Sequence, residues 1–164
     1  MTIGNGAVGE AQNYLGGNGD DTITTTAEPI GALVLAGEGG SDKITVPSFT
    51  NANTGDSITI FGDWGYGDEG SRYTGTQYGD TRLEKKLWGD ADIIDIGQGD
   101  GNNSIIVYAG DGDDYIETEQ GTLTKTIFGG RGNDEIRWGG GDDTAGSMHQ
   151  IFGGLGDDLI GPTT

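Results

Sequence analysis

Gly129-Gly130-Arg131-Gly132-Asn133-Asp134-Glu135-Ile136 is a glycine-rich turn, then an aspartate, one spacer residue and an aliphatic residue. The same wording returns at Gly16-Gly17-Asn18-Gly19-Asp20-Asp21-Thr22-Ile23 and at Gly153-Gly154-Leu155-Gly156-Asp157-Asp158-Leu159-Ile160. Ala109-Gly110-Asp111-Gly112-Asp113-Asp114-Tyr115-Ile116 differs only in its first residue. Glycines allow a tight backbone curl, the aspartate offers a hard oxygen, and the aliphatic residue opens a buried strand.

Outward from these copies, seven aspartates align: Asp21, Asp42, Asp68, Asp92, Asp114, Asp134 and Asp158. Their spacings are 21, 26, 24, 22, 20 and 24 residues, a period that suits one coil of a solenoid. A short apolar pair precedes each turn: Tyr14-Leu15, Val34-Leu35, Ile60-Phe61, Leu87-Trp88, Val107-Tyr108, Ile127-Phe128 and Ile151-Phe152. Each coil therefore reads as turn, strand, second turn, strand. The second turns vary in length and wording, at 27–31, 51–56, 97–103, 119–121 and 139–147. Apolar residues come in short β-branched or aromatic runs between glycines and never at helical spacing. The expected fold is all-β, a right-handed parallel β-solenoid of about seven coils forming one domain over 1–164, with an insertion loop at about 64–86.

Composition narrows the function. Glycine is 35 of 164 residues without a three-residue period, which excludes collagen. Hydrophobic content is 32%, so apolar burial alone struggles against chain entropy. The net charge of −19 argues against nucleic acid and anionic membrane surfaces and favours cations. The acids recur in register after glycines and do not form one solvated block. With no cysteine, disulfides, thiolate metal sites and cysteine nucleophiles are excluded. No stretch is long enough for a transmembrane helix, so no membrane insertion is expected. Met1 to Gly9 lacks the basic and apolar regions of a signal peptide.

Calcium takes six to eight hard oxygens, many from backbone carbonyls. One glycine turn cannot supply a full shell. Two turns stacked about 4.8 Å apart can share an ion. The single His and absent Cys make transition metals a poorer match.

These turns resemble the repeats-in-toxin, or hemolysin-type, calcium-binding repeat, over about Tyr14 to Ile160. The resemblance implies a parallel β-roll, calcium held between successive turns, and folding that waits for calcium outside the cell. By position it makes Asp21, Asp114, Asp134 and Asp158 the side-chain ligands. Carbonyls of Asn18, Asp111, Arg131 and Leu155 complete the shells. Asp42, Asp68 and Asp92 are further candidates at altered turns: one extra residue precedes Asp42 and Asp68, and the turn at Asp92 is two short. After Asp68 the aliphatic slot holds Gly70. The second edge resembles the motif only weakly, at Gly97 to Ile105 and Gly139 to Asp143, so one calcium row is expected. The family's long C-terminal secretion signal has no counterpart after Gly161.

Other features are ordinary. Leu15, Leu35, Phe61, Trp88, Tyr108, Phe128 and Phe152 should stack as a stabilising ladder. Thr22, Thr24 and Thr26 share a strand face, but no other coil repeats them. His149 stands alone, Glu117, Glu119 and Glu135 lack a catalytic partner, and no enzyme motif is found. The expectation is therefore a non-enzymatic, secreted or cell-surface calcium-binding structural protein. Its 12-residue C-terminal half-coil and 15-residue N-terminal stretch suggest head-to-tail stacking of identical copies into a filament or layer. The alternative is a calcium-stabilised adhesion module of a larger secreted protein, with Trp64, Tyr66, Tyr73 and Tyr78 touching a glycan.

Overall fold

The computed structural model describes residues 1–3, 12–26, 31–47, 49–50, 57–63, 90–100, 104–121, 124–139 and 149–162. Strand patterning builds it. In Ser104–Asp111 the residues Ile105, Val107 and Ala109 are buried while Ile106 and Tyr108 face outward, a two-residue alternation that only a strand can satisfy.

Two parallel sheets face each other. The first contains β1 (Thr2–Ile3), β3 (Thr22–Thr25), β5 (Lys43–Val46), β8 (Ile93–Ile96), β11 (Tyr115–Thr118), β13 (Glu135–Trp138) and β15 (Leu159–Pro162), in that order. The second runs β2 (Gln12–Asn18), β4 (Ala32–Gly39), β7 (Ser57–Asp63), β10 (Ser104–Asp111), β12 (Thr124–Arg131) and β14 (Gln150–Leu155). Every pairing is parallel, and the chain alternates between the sheets. This is a β-solenoid, and among the described residues it has no helix. At the second edge β6 (Phe49–Thr50) pairs with β9 (Gly99–Asp100), and Gly99 bridges to Gly121.

The core is a stack of like on like. Ile23, Ile44, Ile94, Ile116 and Ile136 lie in register, all fully buried. Across from them runs Tyr14, Leu35, Ile60, Val107, Ile127 and Ile151. Apolar side chains one strand apart stack along both rows and form one cluster between the sheets.

Two expectations change. The coil count is not seven: six aspartate turns connect the second sheet to the first, β2 to β3, β4 to β5, β7 to β8, β10 to β11, β12 to β13 and β14 to β15. Strand β7 pairs directly with β10, and β5 with β8, so no coil lies between them. The turn after Phe61 therefore ends at Asp92. Asp68, Leu87, Trp88 and the aromatic residues Trp64, Tyr66, Tyr73 and Tyr78 lie outside the described residues. The outward ladder also differs: Ala36, not Leu35, stands between Leu15 and Phe61. The extra residue before Asp42 shifts the pair by one, and Leu35 turns inward. The remaining rings stack as expected, with centroids 5.3 Å apart for Phe61–Tyr108, 5.0 Å for Tyr108–Phe128 and 4.9 Å for Phe128–Phe152.

Candidate metal centre

The six turns place one aspartate each on a single line, just inside the edge of the coil. The carboxylates are tied into a ladder. Asp42 Oδ1 accepts the Asp21 N–H (2.8 Å), Asp92 Oδ1 that of Asp42 (2.8 Å), and Asp114 Oδ1 that of Asp92 (2.9 Å). Asp134 Oδ1 then accepts the Asp114 N–H (3.0 Å), and Asp158 Oδ1 that of Asp134 (3.0 Å). The structure thus joins Asp21, Asp42, Asp92, Asp114, Asp134 and Asp158 in one row. The altered turns at Asp42 and Asp92 enter it as fully as the consensus ones.

The second oxygens are different. Asp42, Asp92, Asp114 and Asp134 are only 1–2% exposed, and the Oδ2 of each has no hydrogen-bond partner. In most coils this oxygen packs against the Cα of the turn's first glycine: Gly37 for Asp42, Gly62 for Asp92, Gly129 for Asp134 and Gly153 for Asp158. A carbonyl of the next coil points at the same spot, Gly62 O at Gly37 and Gly153 O at Gly129. A side chain on these glycines would displace the carboxylate. In the coil of Asp114 the place falls to Ala109.

Burial with no cation has an electrostatic consequence. Desolvation, reinforced by neighbouring carboxylates, pushes Asp42 and Asp134 up to about 6 and Asp114 up to about 7. Asp92 is raised by the same causes, with Asp114 and Asp42 as its strongest like charges. The N–H donated to each Oδ1 opposes the shift without cancelling it.

Outside the aspartate row the turns carry carbonyls. Asn18 is in register with Gly39, and Asp111, Arg131 and Leu155 are in register with one another. Arg131 O accepts the Gly112 N–H and Leu155 O the Gly132 N–H, both at 2.8 Å. Each keeps one lone pair for another partner. Gly130 and Gly154 hold φ of +127° and +124°, and the carbonyl oxygens of Gly110 and Gly130 sit where their Cβ atoms would be. Hard oxygens therefore line the stack along its axis. Among the described residues, no three Asp, Glu or His side chains converge on one point. An ion at this edge would take most of its shell from the backbone, and the mixture of carboxylate and carbonyl oxygen suits calcium.

Two buried charges escaped the sequence reading. Lys125 is 2% exposed and lies in register with Ile105. Its Nζ reaches the second edge and donates to Glu119 O (2.5 Å) and Gly139 O (3.4 Å). A lysine ammonium thus occupies part of the edge read as a weak cation site at Gly139 to Asp143. The signal was the alternation, which places Lys125 on the same strand face as Ile127. The other is Asp63, fully buried at the end of β7. It stands in the row of Gly17 and Glu38, a position the consensus gives to glycine.

No family model, curated protein or solved structure matches this chain. Function must be read from the edge itself. His149 is packed against Trp138, with ring centroids 6.2 Å apart. Glu117 accepts the Tyr115 hydroxyl (2.8 Å), and Glu135 accepts Arg137 Nε (2.7 Å). Among the described residues, no helix is long and apolar enough to cross a membrane.

Proposed function

We propose that the protein is a calcium-binding structural solenoid of the repeats-in-toxin type, folding on calcium outside the cell, with a row of ions along its aspartate edge. The observation that carries this reading is a contrast between adjacent rows. The inner row is aspartate in all six coils and buried in the four central ones. The residue just before it is exposed and varies: Asp20, Ser41, Ala91, Asp113, Asn133 and Asp157. Both rows make the same kind of bond, since Asp20, Asp113 and Asn133 each accept a backbone N–H of a neighbouring coil through Oδ1. If that acceptor were the only requirement, neutral asparagine would serve better in the buried row, where charge is costly. Aspartate is retained where its charge is most expensive, which fits a cation that uses it.

Extracellular calcium modules bind at roughly 10⁻⁴ to 10⁻³ M, and a chain of net charge −19 gains compactness with each bound dication. The test is far-ultraviolet circular dichroism titrated with calcium, with magnesium as control. A cooperative rise in β signal near millimolar calcium is expected, and a titration with no transition ends the proposal.

Head-to-tail association of copies is part of the same reading. The last coil exposes an isoleucine that its neighbours bury: Ile160 is 44% exposed where its register partner Ile136 is 0%. Among the described residues, strands β14 and β15 each pair on one side only. Light scattering in calcium should show mass growing with concentration; a strict monomer rules association out.

A further inference from the structure

We propose that Asp63 and Asp92 together hold one additional divalent cation, a site that no other coil can form. This rests on the calcium reading of the row and adds a ligand that the repeated turn lacks. In the coils of Asp114, Asp134 and Asp158, the second turn residue is Gly110, Gly130 or Gly154, each at positive φ. Glu38 fills the place with φ +81° and is only half-buried. Asp63 avoids that conformation, since Glu38 is the one non-glycine at positive φ among the described residues. Its side chain is instead taken wholly out of solvent.

The resulting geometry is unusual for two anions. Asp63 Oδ2 accepts the Asp111 N–H (3.1 Å), while Oδ1 is buried with no partner. Asp92 Oδ1 is used by the Asp42 N–H, while Oδ2 is buried with no partner and lies against Gly62, the residue before Asp63. The Ala109 carbonyl oxygen points at the same glycine. An unpartnered Asp92 oxygen and the Ala109 carbonyl of the next coil thus meet beside Gly62, and the adjoining residue, Asp63, carries a second buried, unpartnered carboxylate oxygen. Asp92 is the strongest charge acting on Asp63, followed by the carboxylates of Asp114 and Asp111. A buried carboxylate pair persists only when something neutralises it. An all-oxygen environment with two negative charges selects a hard dication such as calcium.

The experiment counts ions. The full chain is saturated with calcium at pH 7.5 and weighed intact by native mass spectrometry, beside Asp63→Asn and Asp63→Gly. The glycine variant restores the residue used by the later coils and so protects against a folding defect, which circular dichroism in calcium monitors. Both variants should carry one calcium fewer than the parent. Equal counts in all three overturn the site while leaving the row intact; a parent that binds no calcium overturns both. A shared proton in place of the ion gives a second readout. A protonated-carboxyl infrared band that persists in saturating calcium and disappears in Asp63→Asn refutes the cation.

Discussion

Replacing Asp134 by asparagine separates what the row does for the fold from what it does for a cation. Asp134 is 1% exposed; its Oδ1 accepts the Asp114 N–H at 3.0 Å and its Oδ2 has no partner. Burial, with Asp158 and Asp113 adding like charge, raises its pKa from 3.8 to about 6. Above pH 7, ionising it in the folded, cation-free chain therefore costs about 3 kcal/mol. Asparagine keeps the Oδ1 acceptor and removes the charge. In chelator at pH 8 the Asp134→Asn chain should be more stable by about 3 kcal/mol, and near pH 3 the gain should vanish because the parent carboxyl is then protonated in both states. In saturating calcium the order reverses, because the variant has lost a ligand. Urea titrations followed by circular dichroism give the folded fraction under all three conditions. A loss of stability in chelator at pH 8 would show that the buried carboxylate is not strained. An equal gain in chelator and in calcium would show that no cation uses its charge.

Other consequences follow from the same geometry. The folded-state pKa values of Asp42, Asp114 and Asp134 are raised, so the folded chain binds more protons than the unfolded one between about pH 4 and 7. Calcium-free stability should therefore be highest near pH 4 and fall as pH rises through 6 and 7, and a profile rising over that range refutes the assignment. Glu38→Gly should stabilise the calcium-free chain by about 1 kcal/mol, since it relieves a non-glycine φ of +81° and removes a like charge acting on Asp42. Thermal midpoints would show it. Gly17→Ala and Gly130→Ala should differ, although both glycines have positive φ. Nothing lies within 4 Å of a Cβ at Gly17, so strain of about 1–2 kcal/mol is expected there. At Gly130 the methyl meets Gly110 O and the cost should reach about 3–5 kcal/mol. Equal losses in urea titrations would contradict this stacking.

The solenoid was legible because its signal is repeated: strand, glycine turn, aspartate and aliphatic residue return at intervals that only stacked coils explain. The errors arose where local wording and stacking disagree. Gly62 to Asp68 reads as a turn, yet Asp68-Glu69-Gly70 offers no aliphatic residue to the core. Asp92-Ile93-Ile94 does, and Ile94 joins the buried isoleucine row. Membership of a coil is decided by the strand that follows the turn more than by the turn itself. Lys125 and Asp63 were missed for another reason. Alternation places Lys125 inside, but a charge is read as external until a partner for it is known, and the carbonyls of Glu119 and Gly139 come from distant turns. Asp63 needed the sheet register to show that it replaces a glycine.

The position of the buried charge also alters where a solenoid should be weakest. An array of equivalent coils frays from its ends, where a coil has one neighbour in place of two. Here Asp63, Asp92 and Asp114 crowd into the middle of the stack, and each is raised by burial and by neighbouring carboxylates: Asp92 and Asp114 act on Asp63, Asp114 and Asp42 on Asp92, and Asp134 and Asp111 on Asp114. Asp21 and Asp158, at its ends, are more exposed. The hydrogen bonds that join the central coils end on the same carboxylates that repel one another. Without a cation, the repulsion acts across the β7–β10 and β5–β8 junctions, where Asp63 adds a fully buried carboxylate in a row that holds glycine at Gly17, Gly110, Gly130 and Gly154. In chelator near neutral pH, amide hydrogen exchange should accordingly be faster at Asp42 and Asp92 than at Asp134, although all three amides are bonded to a carboxylate. Calcium should reverse the order, leaving exchange fastest in the terminal coil. Fraying from the ends under both conditions would mean that the central carboxylates are already neutral, and that protons rather than cations hold the row together.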